Sequence, residues 1–200
     1  MKANYPYKGT NLTEDEQIEA IEKHFAGIMA TLGLDLEDDS LQKTPHRVAK
    51  MFVKETLYGL REENMPRMMT MENKMWYDHM LVERNIKCHS MCEHHFQNII
   101  WVAHIAYIPK KKVIWLSKLH RLTDFFSRKP QVQERLTQEI HEKLCEVLET
   151  EDVAVVIEAV HQCVMCRGIQ DQHSDTVTSK LSGNFKQPEV RAEFFNLIKK

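Results

Sequence analysis

Cys92-Glu-His94-His95 and Cys163-Val-Met-Cys166 concentrate thiols and imidazoles in two short clusters, and these are the side chains that zinc takes up in tetrahedral sites. Two ligand sets fit the pair of clusters. Cys92, His95, Cys163 and Cys166 together would close a Cys3His shell, a structural site with no room for water. Cys92, His95 and Cys163 alone would leave one position open. Residues 153–167 read as a strand, beginning with the apolar run Val-Ala-Val-Val-Ile. Alternation along such a strand would place His161, Cys163, Met165 and Arg167 on one face and Cys166 on the other, which favours the open set.

An open zinc is a catalytic device, because it lowers the pKa of a bound water from about 15.7 to about 7. His94 and His161 flank the cluster and are suited to proton transfer, since an unperturbed imidazole titrates at about 6.5. The alternative for each histidine alone is a packing or hydrogen-bonding role.

Basic residues supply a second kind of chemistry. Arg47 and Lys50 lie three apart on one expected helix, and Lys118 and Arg121 repeat that spacing just after Ser117. Residues at this spacing share a helix face. A helix start carrying a hydroxyl and two cations suits a phosphate, although a solvated helix face is the plainer reading for either pair. Gln133-Glu134 opens a long apolar-periodic segment. A buried carboxylate at that position would accept from the N1–H and 2-amino group of guanine, donors that adenine lacks; otherwise Glu134 serves the helix dipole.

The elements that must position these groups are legible in outline. Thr13-Glu-Asp-Glu16 is a capping box opening a helix whose apolar face is Ile18, Ile21, Phe25, Ile28, Met29 and Leu32, with Gly33 at its end. Thr44-Pro45 starts a second helix. Six methionines between residues 65 and 80 read as adaptable packing material rather than a metal site. Residues 80–88, 99–109 and 113–116 have strand composition, and Lys110-Lys111-Lys112 reads as a hairpin turn. Helices are expected over 118–128 and 130–149, the second with Val132, Leu136, Ile140, Leu144 and Leu148 on one side. A strand over 176–185 and a helix over 189–198 complete an α+β chain, with a helical segment over 1–78 and the catalytic domain over 79–200.

Bulk properties narrow the function. The 200 residues carry a formal net charge of -2, which counts against a nucleic-acid binder working by phosphate neutralisation. The N-terminal stretch lacks the apolar core of a signal peptide, and no run reaches the length of a membrane span. A cytoplasmic protein is expected, whose five cysteines serve as thiols or metal ligands rather than disulfides.

Ser90-Met-Cys-Glu-His-His95, Ala106-Tyr-Ile-Pro109, Leu116-Ser-Lys-Leu119, Gln131-Val-Gln-Glu-Arg-Leu-Thr137 and His161-Gln-Cys-Val-Met-Cys-Arg-Gly168 occur in this order. Together with Thr44-Pro45-His-Arg-Val-Ala-Lys50 they closely resemble GTP cyclohydrolase I, from about Thr13 to Phe185. The resemblance implies zinc ligands at Cys92, His95 and Cys163, with Cys166 not a ligand, and catalytic roles for His94, His161 and Ser117. It implies triphosphate binding by Ser117, Lys118, Arg121 and Arg167, with Arg47 and Lys50 lent by a neighbouring subunit, and guanine recognition at Gln133 and Glu134. The implied fold is a tunnelling fold whose sheets assemble into barrels, as a homodecamer with active sites at subunit boundaries. The implied reaction converts GTP and water to formate and 7,8-dihydroneopterin triphosphate, the first step of pterin and folate synthesis. The chain departs from the family pattern at Trp101-Val102, Trp115, Cys166 and Gln170.

Overall fold

The computed structural model describes residues 6–199; the first five residues of the N-terminal stretch read above lie outside it. Helix α1 (Glu14–Thr31) starts on the expected capping box. The Glu16 amide donates to Thr13 Oγ1 at 3.4 Å, and the Glu16 carboxylate accepts from the Thr13 amide at 2.8 Å. At the other end Gly33 sits at φ +79°. There the Gly33 amide donates to the Ala30 carbonyl and the Leu34 amide to the Met29 carbonyl, the paired bonds of a Schellman stop. Helix α2 (Thr44–Met51) and the helical segment Phe52–Thr56 that continues it pack on α1, with Ala49 and Val53 against Ile18 and Ile21 beside them. Of the apolar face expected on α1, Ile28 and Leu32 stay exposed.

Strand β1 (Thr70–Glu72) lies in the methionine-rich stretch and has too few residues to show a period. The main sheet is built from β2 (Leu81–Cys92) and β3 (Asn98–Tyr107), joined by the tight turn that carries His94 and His95. Strand β4 (Lys112–Ile114) pairs antiparallel with β1, not with β3. The lysine run is therefore a link between two sheets rather than a hairpin turn. Helix α3 (Leu116–Ser127) follows, then β5 (Pro130–Gln131), α4 (Gln133–Leu148) and β6 (Val153–His161). A short helical turn α5 (Gln162–Met165), strand β7 (Thr176–Leu181) and helix α6 (Pro188–Ile198) complete the chain.

The five-stranded sheet runs β5-β2-β3-β6-β7, antiparallel throughout except where β5 lies parallel to β2. Helices α3 and α4 cover one face. Leu119, Leu122, Leu136, Ile140, Leu144 and Leu148 meet Ile86, Trp101, Ile105, Val155 and Ile157 there. Burying each of these aliphatic side chains contributes about 1.5–3 kcal/mol, so the expected stripe on α4 is the principal clamp of that helix. Helix α6 covers part of the other face, with Phe194 and Ile198 against Phe185, Ala106, Ala154 and Val156. Among the described residues no helix is long and apolar enough to cross a membrane.

Helix α3 runs in the same direction as β2. His120, early in the helix, bonds Glu83 at 2.9 Å, while Arg128, just past its end, contacts His89. The start of α3 therefore lies beside the start of β2, nine residues from Cys92. At about 3.3 Å per strand residue that is roughly 30 Å.

Candidate metal centre

Three strand ends converge at one end of the sheet. The register pairs Met91 with Asn98 and Ile99 with His161, so the last residues of β2 and β6 flank the first of β3. Cys92, the final residue of β2, is buried. The Cys92 amide donates to the Gln97 carbonyl at 2.7 Å, and its carbonyl accepts from the Phe96 amide at 2.9 Å. Phe96 takes a positive φ of 54° to close this turn. The turn leaves His94 and His95 exposed beside the buried thiol.

Strand β6 stops at His161, and α5 then turns Cys163 back toward Cys92. The strand expected to run through Arg167 is corrected here: Gln162–Met165 is one helical turn, closed by the Cys166 amide donating to the Gln162 carbonyl at 2.9 Å. The largely apolar run of β6 ends at Val160, and His161-Gln162 interrupt it before Cys163. The face-sharing argument built on alternation fails with it, yet ligand atoms of Cys92, His95 and Cys163 do lie within 4.8 Å of one another. Cys166 is exposed on the cap of the turn and is not part of that group.

The donor chemistry of the three suits a divalent cation. Burial, and after it the neighbouring Cys92 thiol, push the Cys163 thiol above its ordinary value. Two thiolates side by side repel each other, and a cation between them removes that penalty. Two sulfurs and an imidazole form the kind of set that zinc accepts.

Around the three, the structure places supports the sequence reading missed. Arg135 on α4 donates to Glu93 at 2.6 Å, holding that carboxyl below its usual range, and the Glu93 amide donates to the Gln131 carbonyl at 3.2 Å. Strand β5 thus ties the ligand turn to α4. The two residues of β5 carry no periodic signal; only a carboxylate beside Cys92 and an arginine in the first turns of α4 hinted at the clamp.

Gln133 is buried, and its amide is fully committed. Its nitrogen donates to the carbonyls of Ile157 at 3.0 Å and Thr176 at 2.8 Å. Those two acceptors fix which way the amide faces, so Oε1 points at His161 Nε2, 2.9 Å away. His161 must then donate through Nε2. Burial depresses the His161 pKa, and the Glu134 carboxylate partly opposes it. Glu134 itself is exposed at the start of α4, not buried as the sequence reading required for a base-recognising carboxylate.

The remaining predicted residues divide. Arg167 reaches the cluster, its guanidinium donating to His95 Nε2 at 2.8 Å. His94 stands beside Cys92, with Nδ1 4.0 Å from the sulfur. Ser117, Lys118 and Arg121 do not reach it: they occupy the first turns of α3, at the far end of β2 from Cys92. Arg47 and Lys50 are exposed on α2.

A predominantly antiparallel sheet flanked by helices, with two thiols and an imidazole gathered at one end, defines an α+β protein with a candidate metal centre. The sequence pattern of GTP cyclohydrolase I matches residues 21–199, and the chain belongs to that family of hydrolases. A protein of Aeromonas salmonicida (strain A449) named GTP cyclohydrolase 1 is 51% identical over 195 residues, spanning 97% of this chain and 89% of its own. One of the same name from Flavobacterium johnsoniae is 50% identical over 189 residues, spanning 94% and 85%.

Proposed function

We propose that this chain catalyses the zinc-dependent hydrolysis and rearrangement of GTP to 7,8-dihydroneopterin triphosphate and formate, the first step of pterin and folate synthesis, in the cytoplasm. The observation that carries the reading is the meeting of Cys92, His95 and Cys163 within 4.8 Å, beside a histidine oriented by a buried glutamine, in a chain of this family. Cys92, His95 and Cys163 would hold the ion. When bound, zinc supplies Lewis-acid activation of water at neutral pH.

The side chains account for the rest. His161, held by Gln133, and His94 carry protons to the purine N7 and to the departing formyl group. Gln133 acts by orienting His161, because its amide has no donor left for the base. Glu134, free at the helix start, accepts from the N1–H and 2-amino group of guanine. Because Glu134 is exposed in the single chain, discrimination against adenine, which lacks both donors, requires that the bound base shield the carboxylate from water. Arg167 meets the triphosphate at the metal end.

Ser117, Lys118 and Arg121 are roughly 30 Å from Cys92 of their own chain by the strand rise. They therefore serve the site of a neighbouring copy, Ser117 moving protons in the sugar rearrangement and the two cations holding phosphate. Arg47 and Lys50 are likewise lent across a boundary. Exposed Met69, Met71, Trp115 and Leu116 beside the start of α3 are suited to such contacts. The assembly is a homodecamer whose sheets close into barrels in a tunnelling fold.

Incubation of the zinc-loaded protein with GTP, following formate and the fluorescence of the oxidised pterin, tests this. Equal yields of both, lost on chelation, are expected. Formate without pterin would mean that the chain stops after ring opening, and neither product would refute the enzyme reading.

A further inference from the structure

The helical turn that corrects the strand reading also changes what Cys166 can do. On a strand, Cys163 and Cys166 would be about 10 Å apart on opposite faces. On α5 they are three residues apart on one side of a single turn. Helix geometry puts such Cα atoms about 5 Å apart, inside the span of about 4.4–6.8 Å that a disulfide bridges. Cys166 caps the turn and is exposed, Cys163 is half-buried, and Cys92 is buried. The three thiols thus differ in access: the one outside the ligand group faces solvent, next to one inside it.

We propose that Cys163 and Cys166 form a reversible thiol–disulfide pair through which a peroxide or a small-molecule disulfide removes the metal from this centre. The inference rests on the reading of Cys163 as a metal ligand. With hydrogen peroxide, the Cys166 thiolate attacks one peroxide oxygen, the O–O bond breaks, and hydroxide leaves, giving a sulfenic acid. The Cys163 thiolate then attacks the Cys166 sulfur, the S–S bond forms, and the sulfenic oxygen leaves as hydroxide. In sum two thiols lose two electrons and two protons, and one peroxide becomes two waters. A sulfur held in a disulfide is no longer a thiolate ligand, so the centre keeps only Cys92 and His95. A dithiol reverses the step by exchange through a mixed disulfide.

The test treats reduced, zinc-loaded protein with hydrogen peroxide. A chromophoric chelator reads released zinc, and mass spectrometry of unreduced tryptic peptides reads the bond. The expected result is a loss of two hydrogens localised to Cys163 and Cys166. Zinc should leave several-fold faster than from Cys166→Ser or Cys166→Ala, and a dithiol plus zinc should restore the metal. Equal release from wild type and both variants would overturn the proposal. So would a cross-link between the peptides bearing Cys92 and Cys163, which also lie close enough to pair after a small shift. If the reduced wild type holds no zinc, the metal reading fails and the release mechanism falls with it; the disulfide map still reports separately whether the pair forms.

Discussion

The two ends of strand β2 hold the two groups of residues to which the proposed function assigns the chemistry, and they are built differently. At the Cys92 end the candidate ligand group and its supports all come from one chain. Strand β5 and the Arg135–Glu93 pair hold the turn that follows Cys92, while the strand register and the buried Gln133 amide hold His161. At the Glu83 end, Ser117, Lys118 and Arg121 occupy the start of α3 outside the Cys92, His95 and Cys163 group, with exposed Trp115 and Leu116 as neighbours. The first end is preorganised by its own fold; the second offers charge and exposed apolar surface, and the proposed function assigns it to the site of a neighbouring copy.

Breaking the preorganised end should have the largest effect. Replacing Cys163 with alanine should bring zinc content to background, and formate and pterin production with it, as read by metal analysis beside the product assay. Retained stoichiometric zinc would remove Cys163 from the ligand set. Next comes Gln133→Leu, which cannot accept from His161 Nε2. It should cost about 100-fold in kcat, the scale of a displaced acid–base group, with zinc retained and KM little changed. A rise in KM alone would mean that Gln133 meets the substrate after all.

Smaller effects sharpen the contrast by leaving the chemistry alone. A Cβ at Gly59 would sit 2.2 Å from the Phe125 carbonyl oxygen at the end of α3. Gly59→Ala should therefore lower stability by about 1–3 kcal/mol, visible as a fall in Tm with zinc content intact. The smallest effect concerns His141. It is buried on α4 against Ser182 Oγ at 2.8 Å, and burial depresses its pKa. The unfolded chain then binds the proton more readily than the folded one. The stability His141 lends is full above its unfolded value of about 6.5 and is lost as pH falls below it toward the folded value. Tm of the wild type should drop more steeply below that pH than Tm of His141→Gln; parallel profiles would show that the site does not titrate.

Much of this arrangement was legible in the residues, for physical reasons that differ by element. The capping box and glycine stop of α1 are local hydrogen-bond chemistry, written in a few adjacent residues. The α4 stripe is a period long enough to count. Strands β1 and β5, of three and two residues, offer no period, and their pairing is decided by residues far away in sequence. The turn at α5 is not legible because four residues, Gln162–Met165, are too few to separate a helical turn from the continuation of a strand. Exposed Ile28 and Leu32 on α1 show the opposite limit: the pattern announced an apolar face larger than one chain buries. The two thiol–imidazole clusters were visible in residue type and spacing, but the choice of Cys163 without Cys166 came from the family resemblance once strand alternation is removed. The separation of Ser117, Lys118 and Arg121 from Cys92 depends on the direction of α3 along β2, which no local pattern encodes.

The most direct test of a site shared between chains is to mix two variants that are each inactive. One carries Cys163→Ala and an intact α3; the other carries Lys118→Ala with Arg121→Ala and an intact metal end. Co-assembled from a common expression, they should regain turnover at the minority of boundaries where an intact metal end meets an intact α3, with formate and pterin appearing together. No recovery in verified mixed assemblies would contradict the account and place both halves of the chemistry within one chain.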